Sequence, residues 1–239
     1  MSDPSHPAAP AAGDLGPRFT GSLVHELRTP INSLLLLSEL LAANASGHLD
    51  AKEQRWATSL QAAAVDLRDL VDQVGRLGRI AAGRVAVEPQ TVEVPSLLES
   101  LTDWCRERPD PRQLTILPAA GPPATLVTDP RLLRECLERL LAAALAASGP
   151  GGRVELSVRA ARGRGGLAFT VTDSGPPPPE PPGRLLEPFA ATDPRGRRRF
   201  GGSDLGLAIA AALARLLGGE LAAAAAESGG ARLTLRIPG

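Results

Sequence analysis

Apolar positions along the first third of the chain recur at alternating steps of three and four. Val24, Leu27, Ile31, Leu34 and Leu41 keep this rhythm from Phe19 onward, with Ser38 filling the one gap, which predicts a helix carrying a heptad stripe. Asn44-Ala45-Ser46-Gly47 then supplies a helix stop with turn chemistry. A second run of Trp56, Leu60, Ala63, Leu67, Leu70, Val74 and Leu77 repeats the alternation and predicts a second, antiparallel helix. Two helices alone cannot cover both apolar stripes, so the pattern predicts that two copies pair into a four-helix bundle.

Past residues 83–90 the pattern changes character. Residues 95–108 read as a helix and 113–117 as a strand. Asp129-Pro130 is a cap opening a long helix over 131–147. Gly149-Pro150-Gly151-Gly152 is a turn, and alternating runs at 153–159 and 167–172 predict a strand hairpin. A helix over 205–217 and strands near 220–226 and 232–237 complete the series. The predicted fold is therefore multidomain: an all-α dimerisation hairpin followed by an α+β sandwich whose helices cover one face of a sheet. The expected boundaries are a disordered leader over 1–17, poor in large apolar residues, the hairpin over 18–83, a linker over 84–91 and the sandwich over 92–239.

Composition narrows the function classes. The 239 residues are 43% hydrophobic, enough for packed cores, and the formal net charge is +0. A balanced charge offers no field for nucleic acid or an anionic bilayer, and 3% aromatic content with Tyr 0 removes the stacking platforms that single strands need. No uncharged apolar run approaches the ~18 residues that span a bilayer, and the start lacks a signal-peptide pattern. A soluble cytoplasmic protein without membrane insertion is expected. Cys105 and Cys136 stand in helix-like stretches without C-x-x-C spacing, so they are expected to be free structural thiols, with no metal site.

Candidate chemistry centres on His25-Glu26-Leu27-Arg28-Thr29-Pro30. A neutral imidazole has one nitrogen lone pair free to attack, and Glu26, by accepting the other ring proton, makes it more nucleophilic. Pro30 removes a backbone donor one turn later and is expected to kink the helix. Thr29 lies four residues from His25, on the same helix face. The hexamer H-E-L-R-T-P resembles, letter for letter, the phosphoacceptor motif of the two-component sensor histidine kinases.

The later motifs resemble the ATP-binding domain that these kinases share with gyrase-type ATPases. Asp173-Ser174-Gly175 follows a predicted strand and matches the first part of D-x-G-x-G, whose aspartate reads adenine; Pro177 replaces the second glycine. Leu186-Glu187-Pro188-Phe189 resembles the phenylalanine motif at the start of the ATP lid. The prolines of 176–182 before it are expected to hold an extended polyproline segment that impairs lid closure. Gly201-Gly202-Ser203-Asp204-Leu205-Gly206-Leu207 resembles the glycine loop G-G-T/S-G-L-G-L, which feeds a helix N-terminus able to receive phosphates. Asp204 departs from it and brings negative charge toward the polyphosphate, which Arg195, Arg197, Arg198 and Arg199 are placed to offset.

The largest departure is on the helix over 131–148. The family carries two asparagines there, the second holding Mg²⁺, followed by a lysine; aligned through Leu137, Leu140 and Leu141, they fall on Arg139, Ala143 and the region of Ala146. Ala143 has no ligand atom, while Mg²⁺ demands oxygen donors. The resemblance thus implies a transmitter phosphorylated on His25 that exchanges its phosphoryl group with a response-regulator aspartate. It implies catalytic roles for His25, Glu26 and Thr29, and nucleotide contacts from Asp173, Gly175, Gly201, Gly202, Ser203 and Gly206. ATP is expected to be held weakly or not at all, with Mg²⁺ binding doubtful. The open alternatives are an ATP-independent phosphotransfer protein, a response-regulator phosphatase in which Thr29 orients water, and a non-catalytic receiver-binding dimer. Receiver choice is expected to lie in exposed side chains on the first helix beyond His25 and on the second helix.

Overall fold

The structure, a computed structural model, describes residues 17–107, 113–117, 125–149, 151–161, 166–189, 205–227 and 229–239. The chain forms two compact units, Met1–Ala82 and Gly83–Gly239. The expected linker at 84–91 therefore belongs to the second unit, whose first strand begins inside it.

The first unit is the helical hairpin. Helix α1 (Pro17–Ala43) runs through Pro30 as a single helix. Asn44 and Gly47 turn the chain with φ of 43° and 66°. Asp50 then starts α2 (Ala51–Ala81) with a capping box: its carboxylate accepts from the Lys52 and Glu53 amides, and Glu53 accepts from the Asp50 amide.

The face on which the two helices meet keeps only part of the predicted stripe, Val24, Ile31 and Ser38 on α1. Val24, Ile31, Leu35 and Ser38 of α1 are buried, as are Ala57, Ala64, Val71 and Gly75 of α2. Of the predicted α1 positions, Leu27, Leu34 and Leu41 stay 40%, 41% and 48% exposed. On α2 the predicted Trp56, Leu60, Leu67 and Leu70 are exposed too. The reason is size. Small residues let the backbones approach closely, so the hairpin closes on Ala57, Ala64 and Gly75, and the larger side chains fall on the neighbouring flank. At about 100° per residue, both leftover stripes fall on the same flank of the antiparallel hairpin.

The second unit contains β1 (Gln90–Glu93), α3 (Val94–Arg106), β2 (Gln113–Leu117), β3 (Thr125–Thr128), α4 (Pro130–Ser148), β4 (Arg153–Ala160) and β5 (Leu167–Asp173). A short 3-10 helix (Pro182–Leu186), α5 (Gly206–Leu216), β6 (Glu220–Ala225) and β7 (Ala231–Ile237) follow. Five strands form one sheet in the order β2-β4-β5-β7-β6, with β2 parallel to β4 and the other neighbours antiparallel. The pair β1 and β3, absent from the sequence reading, forms a separate antiparallel ribbon.

Strand alternation turns Val154, Leu156, Val158, Leu167, Phe169, Val171, Leu233 and Leu235 to one buried face. Leu133, Leu137, Leu140 and Leu141 of α4 and Ile209 and Leu213 of α5 are buried with them. This is the expected α+β sandwich. Both cysteines are buried and neither is in a disulfide, and burial pushes the Cys136 thiol up to about 12, as suits a packing role. Among the described residues, no helix is long and apolar enough to cross a membrane.

Candidate functional site

His25 sits on the outward side of α1, exposed together with Glu26, Arg28, Thr29 and Pro30. Its neighbour Val24 points inward and explains the placement: a Cβ on Gly75 would lie 2.9 Å from Val24 Cγ1, so the two helices approach closely next to the histidine. The sequence reading missed Gly75, although a glycine inside a helical apolar rhythm is itself a signal of close approach. Pro30, inside α1, withholds one rung of the backbone ladder just past the histidine. His25, Glu26 and Thr29 are thus brought together on a single exposed turn. One turn on, the Arg28 guanidinium bridges to Asp72 of α2 at 2.5 Å.

In the second unit Asp173 ends β5 and is 4% exposed. Its Oδ1 accepts from the Gly175 amide at 2.8 Å and the Ala231 amide at 3.2 Å. Burial pushes this carboxyl above its ordinary value, against the pull of those two amides. Two glycines shape the cradle. A Cβ on Gly175 would strike the Ala147 carbonyl oxygen at 2.5 Å, and one on Gly230 would meet the Asp173 carbonyl oxygen. Gly175 was legible as part of a motif, whereas Gly230 and Ala231 lie 57 and 58 residues from Asp173 in sequence and no motif links them.

The end of α4 is tied to the same strand ends. Ser148 Oγ donates to the Arg153 carbonyl at 3.1 Å and accepts from the Ser174 amide at 3.4 Å, while Ser174 Oγ accepts from the Arg153 amide at 2.8 Å. A cleft of about 220 Å³ at this end is lined by Arg153, Glu155, Thr172, Asp173 and Ser174. Glu155 and Thr172 alternate with the buried core positions, so the cleft opens on the sheet face away from the helices, opposite the side to which the Asp173 carboxylate turns.

On α4 the positions aligned with the magnesium and phosphate ligands carry other chemistry. Ala143 is half-buried and has no donor atom. Glu135 and Glu138 are engaged by Arg139 and Arg134 at 2.9 and 2.7 Å, one helical turn away in each case. Among the described residues, no group of three or more His, Cys, Asp or Glu side chains could hold a metal ion. Ala143 itself does not fit magnesium, since it offers no oxygen.

The proline segment is not one extended rod. Pro181 has the polyproline-like φ of −72° and ψ of 150°, but Pro182 opens the 3-10 helix, because a fixed φ and a missing N-H suit a first helical position. Phe189 beyond it is 54% exposed, with a φ of 62°. Gly206 is the first residue of α5. Gly201, Gly202, Ser203 and Asp204, with Arg195, Arg197, Arg198 and Arg199, lie outside the described residues.

An exposed histidine in an intact hexamer on a helical hairpin, joined to a sandwich with a buried aspartate at a strand end, defines a class. Residues 18–83 match the family model of the His Kinase A (phospho-acceptor) domain. Residues 128–239 match that of the histidine kinase-, DNA gyrase B-, and HSP90-like ATPase. The chain belongs to the two-component sensor histidine kinases and carries their transmitter domains. Among its relatives, the circadian input-output histidine kinase CikA of Synechococcus elongatus is 27% identical over 96% of this chain and 31% of its own length. The sensor protein DivL and the histidine protein kinase DivJ, both of Caulobacter vibrioides, are 31% and 28% identical over 92% of this chain. The chain spans 28% of DivL and 37% of DivJ. The crystal structure of full-length ShkA in complex with AMPPNP superposes with a TM-score of 0.72 and 26% identity, covering 93% of this chain and 46% of that one. The histidine kinase AdeS of Acinetobacter baumannii, at 18% identity and a TM-score of 0.61 over 90% of this chain and 97% of its own, shares the fold.

Proposed function

We propose that this chain is a transmitter that takes a phosphoryl group onto His25 from ATP and passes it to an aspartate on a response-regulator receiver domain. It acts as a homodimer joined through the leucine-bearing flank of its hairpin. The observation that carries this reading is the exposed imidazole on the helix turn that also holds Glu26 and Thr29. The free ring nitrogen attacks the γ-phosphorus, the bond from that phosphorus to the bridging oxygen breaks, and ADP leaves; Glu26 holds the proton of the other ring nitrogen. Passing the group on forms an aspartyl phosphate and restores the neutral ring. Asp173 is the side chain that receives the adenine amino group, and the loop feeding Gly206 receives the phosphates.

One observation favours a second reading. Ala143 offers no oxygen where the family's magnesium ligand aligns and Glu135 and Glu138 are paired with arginines, whereas phosphotransfer or receiver dephosphorylation through His25 and Thr29 needs only the hairpin. Radiolabelled ATP with Mg²⁺ separates the two. Label on the wild type but not on His25→Ala supports the kinase. Label acquired or removed only with a phosphorylated receiver supports the second reading, and inertness toward every donor removes both.

A further inference from the structure

The guanidinium of Arg28 lies one turn past His25, because residues three apart share a helix face. It is held across the hairpin by Asp72 at 2.5 Å, and both side chains are about half-exposed, at 46% and 47%. The exposed turn that carries His25 is thus neighboured by a fork-shaped donor already occupied by a carboxylate.

We infer that Arg28 is a positioning residue for phosphohistidine, parked on Asp72 while His25 is bare and drawn onto the phosphoryl oxygens once the ring is modified. This rests on the reading of His25 as phosphoacceptor. A phosphoryl group brings close to two negative charges and three acceptor oxygens, against the single charge of Asp72, and a guanidinium matches it with two parallel hydrogen bonds. The half-exposed ion pair is weak enough to be exchanged. The contact lengthens the life of the modified histidine. Hydrolysis passes through a loose, metaphosphate-like state with less charge on the phosphoryl oxygens, so a cation on those oxygens stabilises the starting state more than the transition state. Water supplies the new oxygen on phosphorus, the phosphorus–nitrogen bond breaks, and the ring leaves with a proton as inorganic phosphate departs.

The test bypasses the nucleotide site. The full chain is phosphorylated with phosphoramidate, whose phosphorus–nitrogen bond breaks as the ring nitrogen bonds to phosphorus and ammonia leaves. Mass spectrometry locates the group, and its decay is followed together with its phosphorus NMR resonance. Relative to wild type, Arg28→Gln is expected to shorten the lifetime about threefold and Asp72→Asn to lengthen it by a similar factor. The double variant should decay like Arg28→Gln alone, while Arg28→Lys restores part of the lifetime. The resonance should move in Arg28→Gln and stay in place in Arg68→Gln, which breaks a pair elsewhere on α2. A gain from Asp72→Asn that persists without Arg28, or lifetimes that ignore both residues, would overturn the inference while leaving His25 as the acceptor. Absence of any label on His25 would instead remove the acceptor reading itself.

Discussion

Leu36, Leu37, Leu40 and Trp56 of the hairpin are 58–64% exposed, whereas in the sheet-bearing unit Leu137, Leu140, Leu156, Phe169 and Leu213 are wholly buried. Of the second unit's described large apolar side chains, only Val127 and Phe189 stand comparably open. One unit closes its own core; the other sets Val24, Ile31, Leu35 and Val71 against alanine and glycine in its internal seam and leaves most of its leucines on the surface. Isolated apolar residues on a surface are ordinary, but a continuous flank of them on two helices is the surface that the proposed dimer would cover. In the proposed dimer the hairpin's stability is linked to protomer concentration, and that of the sandwich is not.

Three measurements sharpen or break that contrast. The largest effect is expected for Phe169→Ala at the sheet centre, which should cost about 3–5 kcal/mol by chemical denaturation, independent of protein concentration. A concentration-dependent loss there would place part of the second core in an interface. Next, Leu67→Asp on the exposed flank should weaken self-association by about 2 kcal/mol per protomer. Sedimentation velocity should show monomer where the wild type is a dimer, while the sheet unit keeps its melting transition. An unchanged dimer would move the interface elsewhere.

The smallest effect on stability is expected at Asp173. Because burial raises its pKa in the folded state, the folded chain holds the proton over a pH range where the unfolded chain has released it. Its contribution to stability is therefore present below the ordinary aspartate value and is lost as pH rises through the raised one. Asp173→Asn keeps an acceptor for the Gly175 and Ala231 amides and removes the buried charge. It should raise Tm slightly at neutral pH and not in acid. Calorimetry should show weak adenine-nucleotide binding insensitive to Mg²⁺ in the wild type and about tenfold weaker binding in the variant. Tight, magnesium-dependent binding would mean that another residue supplies what Ala143 lacks.

Much of this was legible from the chain. The hexamer, the Asp129 cap of α4, whose carboxylate accepts from the Arg131 and Leu132 amides, and the strand ending at Asp173 carry their chemistry in local spacing. What escaped was set by distant pairing. The rhythm of three and four marked helices and counted apolar stripes, but it does not say which stripe a helix turns to its neighbour, and the seam fell on smaller residues. The ribbon β1 and β3 pairs Gln90 with Thr128, two short segments whose alternation is too brief to stand out. Gly75 and Gly230 are dictated by what approaches them, which only folding reveals.

The serine clasp at the end of α4 has a mechanical meaning. Ser148, Ser174 and Arg153 fasten the helix terminus to the strand that bears Asp173, and the Ala147 carbonyl sits against Gly175. Like a fixed caliper, this joint keeps the span between the carboxylate and position 143 constant. Evolution can therefore retune what the helix offers to a nucleotide one side chain at a time, without resetting the frame that measures it.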